Sequence, residues 1–146
     1  MPTAAKLFAA LALAAVCFLT AQLVRPYLPP GTQVGAFAPL SALIGLFSGW
    51  RIVGPDTGRG GLASFLAGLR GAVFAALVAI IIFAIIEMAR LSWRGTYDGP
   101  FQAVLGIVDL AVGFVPMLFK PDVAATLLIG AGLSGIFAEW AARRWR

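Results

Sequence analysis

Histidine is absent from the 146 residues of this chain, and cysteine occurs only once, at Cys17. Without histidine the sequence offers no Cys/His metal site, and a single cysteine rules out an internal disulfide. Charged residues are also scarce, at 12% of the chain against about 25% in ordinary soluble domains. Apolar residues make up 61%. These proportions exclude a soluble globular protein and predict one all-α integral membrane domain over residues 1–146, without metal or cofactor.

Five apolar runs separated by polar turns predict five helices, over the approximate ranges 5–25, 34–53, 62–93, 101–119 and 122–144. The most apolar run lies between Arg70 and Glu87, which are about 25 Å apart along a helix. Both charges can reach a headgroup layer while the centre stays in hydrocarbon. The first run is similar in composition to a signal peptide, but its 18 apolar residues favour a retained membrane helix.

The fourth run, residues 101–119, is ambiguous because Asp109 lies at its centre. An aspartate in the middle of a membrane helix costs about 2.5–3.5 kcal/mol on insertion scales. Small and polar residues recur along one face of this helix, at Gln102, Gly106, Asp109, Gly113, Pro116 and Lys120. The pattern predicts either a helix that lies at the membrane interface or one whose small, polar face packs on the bundle.

The distribution of basic residues favours four spans over five. With five spans the eleven Lys and Arg divide six to five, which gives no orientation signal. With four spans they divide seven to four, with one side holding Lys6, Arg51, Arg59, Arg70, Arg143, Arg144 and Arg146, and the other Arg25, Arg90, Arg94 and Lys120. We therefore predict a small polytopic bundle of four spans plus one amphipathic or re-entrant helix, with both termini cytoplasmic. Five spans is the alternative.

The stretch GPDTGRGG, residues 54–61, is rich in glycine, as phosphate-binding loops are. A P-loop requires G-x-x-x-x-G-K-[ST] between a strand and a helix, whereas this stretch has no Gly-Lys-Ser/Thr end and follows an apolar helix. We interpret it as a tight turn between two membrane helices. A weak anion site formed by Arg51, Arg59 and glycine N–H groups is the second interpretation.

Small residues repeat at every fourth position on three of the predicted helices, as in small-xxx-small motifs. The three faces are Ser41, Gly45 and Gly49; Gly71, Ala75 and Ala79; and Thr126, Gly130, Ser134, Ala138 and Ala142. Such faces let helix backbones approach closely. They predict packing within the chain, and a homo-oligomer or contacts with partner helices would show the same pattern.

Carboxylates are the remaining candidates for chemistry. All but one of the six fall near helix ends or turns, where ion pairs are typical, and Glu139 precedes Arg143 by the four residues of a helix ion pair. Asp109 alone lies inside an apolar run, which makes it a candidate functional residue. Basic residues flank the apolar runs, a pattern typical of lipid contact and not of nucleic-acid binding. We expect no enzyme activity and no nucleic-acid partner, and we take Asp109, Arg51 and Arg59 as candidate functional residues.

Four motifs in order carry a family resemblance: MPTAAKL, GLFSGWRIVGPDTGRG, YDGP and the tail AEWAARRWR. Together they resemble the TrgA family of small bacterial inner-membrane proteins associated with tellurite resistance, over essentially the whole chain. The resemblance implies an inner-membrane location and a link to tolerance of the tellurite oxyanion. It implies no particular catalytic or binding residue.

Two functional hypotheses follow from these observations. In the first, the protein is a tellurite-resistance factor that acts on the oxyanion through its arginines and Asp109. In the second, it is a non-catalytic accessory or scaffold subunit whose small-residue faces bind partner helices in the membrane.

Overall fold

A computed structural model describes residues 3–32 and 34–145 of the chain. The described residues form helices and turns, with no strand among them. The helices are α1 (Thr3–Val24, followed by a 3₁₀ turn at Arg25–Tyr27), α2 (Phe37–Ser48), a π-helical turn (Gly49–Val53), α3 (Gly54–Asp56), α4 (Gly61–Trp93), α5 (Pro100–Leu118) and α6 (Pro121–Arg144). Five helical segments are long and apolar enough to cross a membrane, with α2 to α3 counted as one. The predicted all-α class is confirmed, and helix length and composition are those of a multi-pass membrane protein.

Proline and glycine set several of the helix boundaries. Pro100 and Pro121 occupy the first turns of α5 and α6, where a missing N–H costs no hydrogen bond. Gly60, just before α4, has a φ of 116°, which suits only glycine. The second membrane helix begins at Phe37, later than the predicted residue 34, because the preceding residues form a turn in which the Phe37 N–H donates to the Val34 carbonyl.

A π-helical turn carries the second membrane helix past its predicted end at residue 53. The Gly54 N–H donates to the carbonyl of Gly49, five residues earlier, instead of four. This turn buries Val53 against α4, where a Cβ added to Gly71 would lie 2.6 Å from Val53 Cγ2. The helix then continues through α3 to Asp56.

α1 and α2 form an antiparallel pair held by small residues. Gly45 faces Cys17 of α1. Gly49, one turn later at the start of the π-helical turn, faces Ala9, about two turns earlier on α1. A Cβ at Gly49 would come within 2.5 Å of the Ala9 carbonyl oxygen, so only glycine fits this approach. Ser41 is buried on the same face. The predicted small-residue face of α2 therefore packs within the chain.

α4 and α6 form a second antiparallel pair, with the closest backbone approach in the bundle. A Cβ at Gly68 would collide with the carbonyl oxygen of Ala131, and a Cβ at Gly135 would collide with that of Ser64. Neither glycine belongs to a predicted small-residue face. α6 thus presents one set of small residues to α4 and another to α1.

The predicted faces of α4 and α6 also pack within the chain. Gly71 meets Leu13 of α1 as well as the π-helical turn, and Gly130 meets Val16 of α1. The other residues of these two faces are covered as well: the buried ones are Ala75, Ser134, Ala138 and Ala142, and the half-buried ones are Ala79 and Thr126. All three predicted faces are therefore occupied by helices of the same chain.

α5 packs mainly on α4. Its Gly106 packs on the ring of Tyr97, just beyond the C-terminus of α4. Near its other end, Phe114 lines a cavity with Phe83 of α4 and Phe37 of α2. Its last turn, with Met117 and Leu118, lines the same cavity as Ala79 of α4, so α5 runs back along the C-terminal half of that helix. α5 is long and apolar enough to cross a membrane, and the choice between four and five spans stays a prediction.

The first and last described helices meet at the opposite end of the bundle, which we call the terminal end. Phe8 stacks on Trp145 with ring centroids 4.9 Å apart, and Lys6 packs against Gly54. The basic residues described at this end are Lys6, Arg51, Arg59, Arg70, Arg143 and Arg144, whereas Arg25, Arg90, Arg94 and Lys120 lie at the other end. Arg146, predicted to join the first group, lies outside the described residues.

Topology reporters can test this arrangement. If four helices cross, as the distribution of basic residues predicts, reporters fused to the N-terminus and to the C-terminus should both read as cytoplasmic, and one inserted between Gly95 and Asp98 as periplasmic. Alkaline phosphatase and green fluorescent protein fusions measure the two sides. Termini on opposite sides would establish five spans and contradict the four-span arrangement.

Candidate functional site

Three segments that are distant in the sequence converge at the terminal end. They are the start of α1, the loop at residues 54–61 with the start of α4, and the end of α6. Polar groups of the loop, α4 and α6 form one cluster, which we call the terminal cluster: Asp56, Gly58, Arg59, Ser64, Arg70, Glu139 and Arg143. The cluster connects α3, α4 and α6, and the aliphatic stem of Lys6 on α1 packs beside it against Gly54.

Glu139 is the central acceptor of the terminal cluster, and its residue is only 5% exposed. Its carboxylate accepts the Gly58 N–H at 2.5 Å, the Ser64 hydroxyl at 2.7 Å and the Arg143 Nε–H at 3.0 Å. A buried carboxylate is costly unless its oxygens are paired in this way. Glu139 is the one charged residue among those buried in the described part of the chain. The three bonds fix the loop at residues 54–61 to the end of α6.

Asp56 holds the same loop from its other side. It accepts a hydrogen bond from Arg59 Nη1 at 3.0 Å and a second from Arg70 Nη2. Both arginine side chains are largely exposed, whereas the aspartate is mostly covered. An exposed pair of this kind contributes at most about 1 kcal/mol to stability, but it orients two guanidinium groups beside the loop.

An open pocket of about 470 Å³ lies between Gly58, Arg59, Gly60, Glu139 and Arg143. Both carboxylates of the terminal cluster are engaged with arginines, and the six described basic residues at this end exceed these two acids. The surface around the pocket is therefore positive. Arginine binds oxyanions well because its planar guanidinium presents several N–H donors in a fixed geometry.

The structure separates the sequence-predicted candidates. Arg59 lines the open pocket, and Arg51 lies exposed on the π-helical turn at the same end. Asp109 is exposed on α5 at the other end, in a shallow pocket with Tyr97 and Gln102. The small, polar face of α5 is only partly used, since Gly106 is buried on Tyr97 whereas Gly113 has nothing within 4 Å. Asp109 thus cannot act on a ligand held by the arginines.

The anion site predicted at Arg51, Arg59 and the glycine N–H groups stays a prediction, and one of those N–H groups is already used within the chain. The Gly58 N–H binds an anion, but this anion is the carboxylate of Glu139. The predicted pair of Glu139 with Arg143 is present at 3.0 Å. The bonds from Glu139 to Gly58 and Ser64 span 81 and 75 residues, so no local spacing could have indicated them.

Metal binding has no support among residues 3–32 and 34–145, where no three His, Cys, Asp or Glu side chains lie close enough to share an ion. Comparison of the chain with protein-family models, with curated proteins and with solved structures finds no match. The terminal cluster therefore has to be interpreted from its own chemistry.

Proposed function

We propose that this protein is a non-enzymatic, multi-pass protein of the bacterial inner membrane that supports tolerance of tellurite by holding the oxyanion at the terminal cluster. The observation that carries the proposal is the convergence of three of the four motifs behind the TrgA resemblance. GLFSGWRIVGPDTGRG supplies Asp56, Gly58 and Arg59, and AEWAARRWR supplies Glu139 and Arg143. MPTAAKL lies beside them, where the stem of Lys6 packs on Gly54. YDGP lies at the opposite end, beside α5.

The chemistry of the open pocket supports an oxyanion ligand. The side chains of Arg59 and Arg143 are 71% and 66% exposed, and each guanidinium has five N–H donors, of which the carboxylates use only some. A doubly charged oxyanion such as tellurite would be attracted to this positive end and bound by charge-assisted hydrogen bonds. Six of the ten described basic residues lie at this end, which by the positive-inside rule faces the cytoplasm.

The scaffold hypothesis has less support. All three small-residue faces already contact helices of the same chain, so a partner helix would have to open the bundle to use them. The described surface that remains is apolar and suits lipid contact, with exposed side chains such as Leu43, Leu77 and Ile129. Membrane lipids are accordingly the partners that we propose for the outer surface of the bundle.

A complementation experiment tests the proposed function. A deletion strain should become sensitive to tellurite, and the wild-type chain should restore growth. The double variant Arg59→Gln and Arg143→Gln should lower resistance by more than it lowers membrane abundance, because it removes the positive charge that attracts the oxyanion. Some loss of abundance is expected, since Arg143→Gln takes the guanidinium from the buried Glu139 carboxylate. Minimal inhibitory concentration and immunoblotting of membranes provide the two measurements.

Matched controls are available at the other end of the bundle. Arg94→Gln removes a charge without touching the terminal cluster, and Asp109→Asn removes the acid that lies far from it, so both should restore full resistance. A deletion strain as resistant as the wild type would refute the tellurite role. Full resistance with the double variant would leave that role in place and refute the assignment of the site.

A further inference from the structure

A cavity of about 200 Å³ lies at the end of the bundle opposite the terminal cluster, separate from the smaller cavity under the last turn of α5. We call it the aromatic cavity, because three rings line it: Phe37 at the start of α2, Phe83 on α4 and Phe114 on α5. The rings of Phe37 and Phe83 are in contact, with centroids 4.2 Å apart. Leu28 and Ile86 add aliphatic surface. A cavity of about 150 Å³ holds benzene, so the aromatic cavity has room for a ligand of about eight or nine non-hydrogen atoms.

Two opposite charges lie in the wall of the aromatic cavity. Glu87 and Arg90 follow Phe83 on α4 by four and seven residues, a spacing that places all three side chains on one face of the helix. The carboxylate and the guanidinium form a loose pair, with 3.5 Å between Oε2 and Nη1. Their side chains are only 18% and 22% exposed. Both charges are therefore mostly withdrawn from water, yet a small ligand can still reach them from outside.

This pair leaves most of its hydrogen-bonding capacity unused. In the described part of the chain, the bond from Arg90 to Glu87 is the only side-chain hydrogen bond that either residue makes. A carboxylate can accept about four hydrogen bonds, and a guanidinium has several N–H donors. Charges that are mostly covered are costly when they are poorly paired. A ligand that brings the complementary charges to this wall would lower that cost.

The two charges decide which class of ligand fits the aromatic cavity. An organic cation would be attracted by Glu87 but repelled by Arg90, and an organic anion would meet the reverse. A zwitterion with its ammonium and carboxylate on one carbon atom satisfies both residues, because its two charges lie about as close together as those of the pair. Its apolar side chain would then be removed from water among the three phenylalanine rings. The cavity thus combines the features that recognise a small, apolar α-amino acid.

We propose that the aromatic cavity binds a free aliphatic α-amino acid of the size of leucine. The ammonium of the ligand donates to the Glu87 carboxylate, and its carboxylate accepts from the Arg90 guanidinium. Its side chain packs on the rings of Phe83 and Phe114. Glycine lacks the apolar body, and tryptophan is too large for a cavity of about 200 Å³. The site lies apart from the terminal cluster, so its occupation does not depend on the proposed role in tellurite tolerance.

Binding of tritiated L-leucine to the purified full chain in detergent, measured by scintillation proximity, tests the proposal. One saturable site per chain is expected, and unlabelled isoleucine and valine should compete for it. Leucine methyl ester and isoamylamine lack the carboxylate charge, and isocaproate lacks the ammonium, so each should compete at least about tenfold more weakly. Glycine and tryptophan should also compete poorly. Absence of saturable binding, or competition by isoamylamine or isocaproate as strong as that by leucine, would overturn the amino-acid site.

Variants of the charged pair test the assignment of the residues. Glu87→Gln and Arg90→Gln should each weaken leucine binding by about tenfold or more, because each removes one of the two recognised charges. Asp98→Asn and Arg94→Gln are the matched controls, since they remove the same charges from exposed positions outside the cavity and should leave binding unchanged. Phe114→Ala should enlarge the cavity and allow tryptophan to compete, a gain that a merely destabilised protein would not show. Thermal unfolding in detergent identifies the folded variants, and wild-type affinity in folded Glu87→Gln and Arg90→Gln proteins would refute the site.

Discussion

Gly135→Leu is expected to prevent formation of the folded bundle. A side chain at this position would collide with the Ser64 carbonyl and with Phe65 Cα, so α4 and α6 would have to move apart. The colliding atoms are backbone atoms of the neighbouring helix and cannot turn aside, as the end of a flexible side chain could. Overpacking of this kind costs about 3 kcal/mol or more, which is a large part of the stability of a small domain. Membrane abundance and the unfolding midpoint in detergent should both fall sharply.

Gly113→Leu is the matched control for this prediction. The substitution is the same and also lies in a helix, but a Cβ at Gly113 meets nothing within 4 Å. Leucine there should leave the midpoint unchanged or raise it slightly, because leucine has a higher helix propensity than glycine. Similar midpoints for the two variants would show that the close approach of α4 and α6 does not hold the bundle together.

Glu139→Ala should cause a loss of stability comparable to that of the glycine substitution. The change leaves the Gly58 N–H, the Ser64 hydroxyl and Arg143 without their common acceptor. Removing one partner from a buried charged network costs about 3–5 kcal/mol. We therefore expect a large drop in the unfolding midpoint, together with faster proteolysis of the loop at residues 54–61.

Asp98→Ala provides the comparison, since Asp98 is exposed in the turn before α5. Its removal should change the midpoint very little, as is usual for surface positions. Glu139→Gln should be intermediate, because the amide keeps an acceptor oxygen for one of the donors. A Glu139→Ala protein as stable as the Asp98→Ala protein would contradict the role of Glu139 in fixing the loop.

Helix number and class followed from hydropathy, because a bilayer requires runs of apolar residues whose length composition alone reveals. The sequence predicted less well which helices pack against each other. The i+4 ladder through Gly130 and Ser134 was visible in the sequence, but the second face of α6, through Ala131 and Gly135, was not. One apolar helix shows many overlapping spacings of small residues, and only the positions of its neighbours decide which of them are used.

The terminal cluster shows the same limit for polar residues. The pair of Glu139 and Arg143 could be predicted because it depends on the geometry of a single helix turn. The bonds to Gly58 and Ser64 depend on how α6 is placed against α4, which no local pattern specifies. Asp109 lies exposed on α5, away from the terminal cluster, and a functional role for it stays a prediction.

The π-helical turn at Gly49–Val53 changes the direction in which the later residues of the same helix face. A turn closed five residues back holds one residue more than an α-helical turn, and one residue corresponds to about 100° of rotation around the helix axis. The extra residue therefore acts as a fixed rotational offset between two halves of one helix. Gly45, before the turn, and Gly49, at its start, lie on α1, whereas Val53, at its end, meets Gly71 of α4. One continuous helix can in this way serve two neighbours that a regular α-helix, with a single phase, could not contact through the same residues.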